Sequence, residues 1–307
     1  MVPLLLVTAL GMAPQSNAPP VNVFILAGQS NMVGHGFVMA ESKRNGGKGS
    51  LEQVARDPAS GKVFKQLLND DGSWHVRDDV WIHYFEKKGK LTVGFGAGED
   101  CIGPELGFGY VVGESIREPV LLIKLAWGGK SLARDFRPPS SGGDVGPFYT
   151  EVVRGAREAM DRIGANFPEL KGRPVKLVGF GWHQGWNDRI DAGFFQEYES
   201  NMANFIRDIR RDLGTPDMPF VIAETGMGGE AEQNQRALDL MKAQAAVAQY
   251  AEFRSSVAFV GTRGFWRPKE LSPSDQGYHW NSNAETYYLI GDAMGRAMID
   301  LLKRRPR

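Results

Sequence analysis

Apolar positions along this chain follow two different periods, and the alternation between them predicts the architecture. Five runs rich in β-branched and aliphatic residues each end in glycine or a polar turn: VNVFILAG from Val21, PVLLIKLAWGG from Pro119, PVKLVGFGWHQG from Pro174, PFVIAETG from Pro219 and SVAFVGTRG from Ser256. Their apolar character is continuous rather than alternating, which marks strands buried on both faces of a parallel sheet. Between them the period becomes helical, with Tyr149, Val152, Val153, Ala156, Met160 and Ile163 on one face of a first stretch. Phe195, Tyr198, Met202, Phe205, Ile206 and Ile209 do the same in a second. The chain therefore reads as α/β, built from βαβ units into a doubly wound, mainly parallel sheet of five strands with helices on both faces.

The final helix carries the clearest start signal. Ser282-Asn283-Ala284-Glu285 has the pattern of a capping box, and Tyr287, Gly291, Met294, Met298, Leu301 and Leu302 follow on one face. The basic Lys303-Arg304-Arg305 then falls at the negative end of the helix dipole, a solvated helix end rather than a nucleic-acid contact. One stretch breaks the alternation. From about His35 to Cys101 there is no βα unit, and WIHYFEKKGKLTVGF, centred on Lys88-Gly89, reads as a β-hairpin inside a long insertion. No repeat or linker interrupts the rest, so residues 19–307 read as one domain.

Charge and cysteine content narrow the partners. Thirty-six Lys and Arg balance 36 Asp and Glu, so no long-range field gathers nucleic acid or an anionic membrane. The single cysteine, Cys101, excludes an internal disulfide, a CxxC pair and a thiolate zinc cage. The first 18 residues differ from the remainder: VPLLLVTALGMA is too short to span a bilayer but has the length of a signal-peptide core. Ser16-Asn17-Ala18 after it is a small-x-small cleavage pattern, although no Lys or Arg precedes the run and Pro19 follows it. Residues 1–18 are expected to be an export signal, which makes the protein secreted or periplasmic.

Candidate chemistry gathers where the strands end. The first strand runs into Gly28-Gln29-Ser30-Asn31-Met32, which puts Ser30 on a tight turn at the carboxyl edge of the sheet, where doubly wound folds bind ligands. A serine there, beside backbone amides that face a developing oxyanion, is placed to be a nucleophile. The second run ends in Trp127-Gly128-Gly129, whose glycines let the backbone approach a ligand. The third ends in Trp182-His183-Gln184-Gly185-Trp186-Asn187-Asp188, where Asn187 offers a side-chain amide. Asp275-Gln276-Gly277-Tyr278-His279 precedes the last helix and leaves His279 on a loop able to return to the same edge.

This ordered set resembles the SGNH hydrolase superfamily; GQSNM near the N-terminus and HQG leading the third block resemble carbohydrate esterase family 6 and the sialate O-acetylesterase domain. The resemblance runs from about Val21 to the last helix. It implies a three-layer α/β/α sandwich of flavodoxin-like type and a carboxylic ester hydrolase that removes O-acetyl groups from sugars without metal or cofactor. Carried onto this chain, Ser30 is the nucleophile and His279 the general base, while Ser30 N–H, Gly129 N–H or its neighbour Gly128, and Asn187 form the oxyanion hole. Gln29, Gln184 and Trp186 fall in the blocks that border the substrate. Two positions depart from the pattern: Trp186 stands where the third block often has glutamate, and Gln276 stands where aspartate precedes the histidine by three. The acid that orients His279 is thus open between Asp275, Asp188 and neither.

Other residues have plainer explanations. His83 lies in the expected hairpin, no metal-ligand spacing exists, and His183 suits packing or support of a neighbour better than catalysis. Glu105, after Pro104, fits the first turn of a helix. Trp127, Trp182 and Trp186 lie near the active edge, where aromatic faces stack on sugars or fill the core. The sequence-based expectation is an acetylated-carbohydrate esterase; its rivals are a non-catalytic carbohydrate-binding protein on the same fold and a lipase-like or thioesterase relative. The specific glycan, acetylxylan or O-acetylated sialic acid in type, and the oligomeric state are not encoded in these motifs.

Overall fold

Val21–Gly28 forms the central strand, β1, because its side chains serve two cores at once. Val21, Val23, Ile25 and Ala27 point to one face of the sheet, and Phe24 and Leu26 to the other. The computed structural model describes residues 18–304. After β1 come α1 (Ser30–Val33), β2 (Gly36–Phe37), α2 (Leu51–Arg56), α3 (Lys62–Lys65), β3 (Val80–Tyr84), β4 (Lys87–Lys90), β5 (Cys101–Ile102), α4 (Pro104–Ser115) and β6 (Val120–Ala126). They are followed by α5 (Pro147–Asp161), α6 (Ile163–Asn166), β7 (Val175–His183), α7 (Ala192–Asp212), β8 (Phe220–Ala223), α8 (Gln235–Val247), β9 (Val257–Val260) and α9 (Ala284–Arg304). The expected export signal lies outside the described residues except for Ala18.

The sheet has seven strands rather than the expected five, in the order β4-β3-β6-β1-β7-β8-β9. The five apolar runs are β1, β6, β7, β8 and β9, and all pair in parallel. The difference is the hairpin of the insertion. Its first strand, β3, pairs in parallel with β6 from Val80↔Val120 to His83↔Ile123, and β4 closes the edge antiparallel to β3. The sheet is therefore mixed. Helices α4 and α9 cover one face, burying Leu106, Phe108, Tyr287 and Met294 against Phe24 and Leu26. Helices α5, α7 and α8 cover the other, giving the three-layer α/β/α sandwich. α4 and α9 cross at glycines: a Cβ on Gly291 would lie 2.0 Å from the Pro104 carbonyl oxygen.

The start of α9 is capped one residue later than the capping-box pattern implies. Asn283 Oδ1 accepts the Thr286 N–H at 3.0 Å, whereas Glu285 pairs with Arg267 and the Ser282 hydroxyl accepts from Ser274. Asparagine occupies the N-cap position as well as serine does.

The strand order creates a switch point at β1. The chain leaves β1 toward β3 and β6 on one side and then crosses to β7 on the other, so the loops after β1, β6 and β7 part around a crevice. Register makes this concrete: Gly28 lies opposite Ala126 on β6 and opposite His183 on β7. The three motifs that follow these residues emerge side by side.

Candidate active site

β1 stops at Gly28 because no side chain fits there; a Cβ would sit 2.2 Å from the His183 carbonyl oxygen. The extended Gln29 follows, and Ser30 opens α1 with 8% of its surface exposed. Both neighbours of Ser30 are pinned. Gln29 Oε1 accepts the N–H groups of Gly185 and Asn187, each at 3.2 Å, and Gln29 Nε2 donates to Asn187 Oδ1 at 3.1 Å. Asn31 Nδ2 donates to the Tyr278 carbonyl at 3.0 Å, and its Oδ1 accepts the Tyr287 hydroxyl at 2.8 Å. The serine turn is thus fastened to the third block on one side and to the histidine loop on the other.

Beside Ser30, Gly128 and Gly129 are exposed, and a Cβ on either would meet open space. Among the described residues, the N–H groups of Ser30, Gly128 and Gly129 have no protein acceptor. Asn187 Nδ2 donates one hydrogen to the Gly129 carbonyl at 2.9 Å, which leaves its second hydrogen free. Asp188, one of the two acids considered for His279, has a different task. It is fully buried, and its carboxylate accepts the N–H groups of Leu132 and Ala133 and the Gln184 amide. It ties the loop after Gly129 to the third block, and burial pushes its carboxyl up to about 6 against those hydrogen bonds.

His279 stands on the loop that Asn31 and Tyr287 hold, and the Tyr287 hydroxyl, whose proton goes to Asn31, also lies 3.2 Å from the His279 carbonyl oxygen. Three successive residues after it, Trp280, Asn281 and Ser282, adopt left-handed backbone with φ of 53°, 53° and 55°. Such conformations cost energy for residues other than glycine and persist only where surrounding contacts enforce them. Here Trp280 is fully buried and Asn281 Nδ2 donates to the Arg267 carbonyl. The His279 ring stacks on His35, with centroids 3.8 Å apart and planes within 7°. Burial, reinforced by His35, lowers its pKa to about 4, and its buried Nδ1 has no hydrogen-bond partner. Asp275, the other acid considered, is exposed, makes no side-chain hydrogen bond to His279, and borders a surface cavity with Asn45 and Lys269. The structure brings neither aspartate to the imidazole.

Comparison with known proteins now adds a family. Residues 20–300 match the family described as carbohydrate esterase, sialic acid-specific acetylesterase. The chain belongs to this family of carbohydrate esterases. A probable carbohydrate esterase of Arabidopsis thaliana is 26% identical over 216 residues, 70% of this chain and 73% of that protein. Among solved structures, one from Arabidopsis thaliana is similar with a TM-score of 0.59 at 18% identity, covering 92% of this chain and 99% of the other. A carbohydrate acetylesterase from Xanthomonas citri gives 0.52 at 14% identity, with 90% of this chain and 55% of the other covered. At those identities the likeness is one of fold.

Within the esterase, two residues expected to border the substrate are buried. Gln29 and Gln184 are each 1% exposed, and Gln184 Nε2 is occupied by the Lys130 carbonyl and Asp188. They brace the loops that carry Ser30 and Asn187. Trp186 is partly buried, with the Arg189 guanidinium 3.3 Å from its ring centroid and the ring of Tyr278, next to His279, tilted against it at 6.0 Å. Trp182 belongs to the core, packed on Phe136 and Phe205. His183 is buried and neutral, its pKa lowered to about 4 by burial. No group of three or more His, Cys, Asp or Glu side chains among the described residues could hold a metal ion. No helix among them is long and apolar enough to cross a membrane.

Sequence reasoning passed over two features. The first is His35, whose position five residues after Ser30 was the available signal. The second is a buried ion pair, Lys124 with Glu105 at 2.7 Å, both side chains 0% exposed. Lys124 Nζ also donates to the carbonyls of Val33 and Phe95 at 2.7 Å each, so all three of its protons are used. A lone lysine inside an apolar strand is the signal it left. Glu105 does start α4, but its Oε1 accepts the Gly103 N–H and its Oε2 serves Lys124.

Proposed function

We propose that this esterase removes O-acetyl groups from a carbohydrate by a serine mechanism. Ser30 Oγ attacks the acetyl carbonyl carbon while His279 accepts the hydroxyl proton, and the N–H groups of Ser30 and Gly129 or Gly128, with Asn187 Nδ2, receive the oxyanion. His279 returns the proton to the departing sugar oxygen, leaving acetyl-Ser30. Water then adds to that ester, His279 takes its proton, and acetate departs as the proton returns to Ser30. The observation that carries this reading is the shared edge: Ser30, Gly128-Gly129 and Asn187 leave three adjacent strands at one crevice. Asn31 and Tyr287 bring the His279 loop to it.

The acid member is absent from this scheme. Asp188 is engaged by three donors and Asp275 faces solvent, so Ser30 and His279 work as a dyad whose imidazole is held by the His35 stack and its own loop. Export with loss of the first 18 residues is part of the same reading; the mass of the natural protein tests it. Hydrolysis of a chromogenic acetate ester by the wild type and by Ser30→Ala tests the mechanism. A loss in kcat of about 10³-fold or more is expected, and equal rates would overturn it. Acetate release from acetylated xylan and from O-acetylated sialic acid identifies the glycan; affinity for either without turnover would instead mean a binding protein.

A further inference from the structure

The hairpin that extends the sheet carries an aromatic residue in an uncomfortable conformation. Phe85, at the tip between β3 and β4, has φ of 52° and is 38% exposed. Left-handed backbone is rare for a bulky side chain and calls for an explanation at the site. Its ring lies 5.3 Å from Trp127, the residue before Gly128, and Trp127 rests in turn on Phe148 and Phe136. Phe85 and Glu86 form a wall between two cavities. One, of about 470 Å³, is bordered by Gly128, His35, Val33 and Tyr84. The other, of about 290 Å³, lies beyond Phe85, between the hairpin, Trp127 and helix α5 with the turn after it.

The second cavity has polar groups that the protein leaves unused. The side chains of Glu86, Lys88, Arg162 and Asn166 line it and form no hydrogen bond or ion pair among the described residues. His83 Nδ1 is buried there without a partner. Buried polar atoms are nearly always satisfied, and His83, which lines this cavity, holds one that is not. The charges cancel: Glu86, Glu151 and Glu158 face Lys88, Arg154 and Arg162, with Arg154 paired to Glu151 and Glu158, beside a histidine whose pKa is lowered by burial, Lys88 and Arg162. Aromatic faces, hydrogen-bonding groups of both kinds and little net charge match a pyranose ring, which has an apolar C–H face and a hydroxyl rim.

We propose that this second cavity is a sugar subsite, which takes a neutral unit of a glycan chain whose acetylated unit lies at Ser30. The inference rests on the carbohydrate reading above for the class of ligand. It makes the preferred substrate an oligosaccharide or longer chain that passes over the Phe85–Trp127 wall, rather than a free monosaccharide.

The full-length Ser30→Ala protein is titrated with unacetylated xylotetraose, mannotetraose and cellotetraose, following tryptophan fluorescence. At least one of the three quenches or enhances the emission, and adding Arg162→Ala with Asn166→Ala weakens that binding by about fivefold or more. Lys88→Ala, on the exposed face of the hairpin, weakens it from the opposite wall, so that a misfolded double variant does not leave the result undefined. Tetragalacturonate binds no more tightly than the neutral sugars. Absence of binding by all three, unchanged affinity in both variants, or preference for the acidic sugar would overturn the subsite. Ester hydrolysis surviving in Ser30→Ala would instead refute the serine mechanism, and the titration still reads the subsite because these sugars carry no acetyl group.

Discussion

In the proposed mechanism His279 has to be uncharged to accept the serine proton, and its surroundings lower its pKa. Burial and the stacked His35 lower its pKa to about 4, while His35 is itself held down by burial and by Lys124. A base with a depressed pKa remains competent to lower pH, and kcat/KM reports the ionisation of the free enzyme. The expected profile is level from neutrality down to about pH 5 and falls with a midpoint near 4; a midpoint at the ordinary histidine value of 6.5 would contradict a buried imidazole stacked on His35. The same residue-scale reasoning applies to the aspartates. Asp275→Asn is expected to change kcat/KM by less than about threefold, against the orders of magnitude that losing a working triad acid costs. The placement of Ser30, Gly128, Gly129 and Asn187 at one edge was legible in the sequence because each follows a strand end and a local turn. The partner of an imidazole was not, because it depends on where chains distant in sequence meet: Asp275 and Asp188 are respectively four residues and 91 residues from His279, and neither separation places a carboxylate at Nδ1.

At the scale of elements, α1 is too short to hold itself, and its end is fixed from below. Lys124 on β6 reaches the Val33 carbonyl that terminates α1 and at the same time Glu105 in the first turn of α4. Strand, Ser30 turn and helix are joined through one ammonium group. Breaking a buried pair leaves an uncompensated charge, so Lys124→Met is expected to lower the unfolding free energy by about 3 to 5 kcal/mol. Adding Glu105→Gln removes that charge while keeping an oxygen for the Gly103 N–H, and should restore part of the loss; urea denaturation of the two variants measures both effects. If Lys124→Met is as stable as the wild type, the pair does not hold α1. The five parallel strands were readable because burial on both faces leaves a continuous apolar run. The hairpin was recognised as a hairpin but not as part of the sheet. Its outer strand, Lys87–Lys90, is polar as an edge strand should be, and nothing local in β3 reveals its parallel pairing with β6.

For the whole molecule, the topology decides where chemistry occurs. Because β1 lies between β6 and β7, the loops that carry Ser30, Gly128-Gly129 and Asn187 converge at one crevice, and α9 returns the His279 loop from the far end of the chain. The family membership agrees with this arrangement without assigning the role of any residue. The central claim is that Ser30 becomes acylated. Reaction of the wild-type protein with a serine-directed alkyl phosphonate, followed by peptide mass mapping, tests it most directly. The account predicts loss of ester hydrolysis in step with a single phosphonyl adduct on the Ser30 side chain, and no labelling of Ser30→Ala; inactivation with the adduct on another residue, or full hydrolysis by a protein labelled at Ser30, would contradict it.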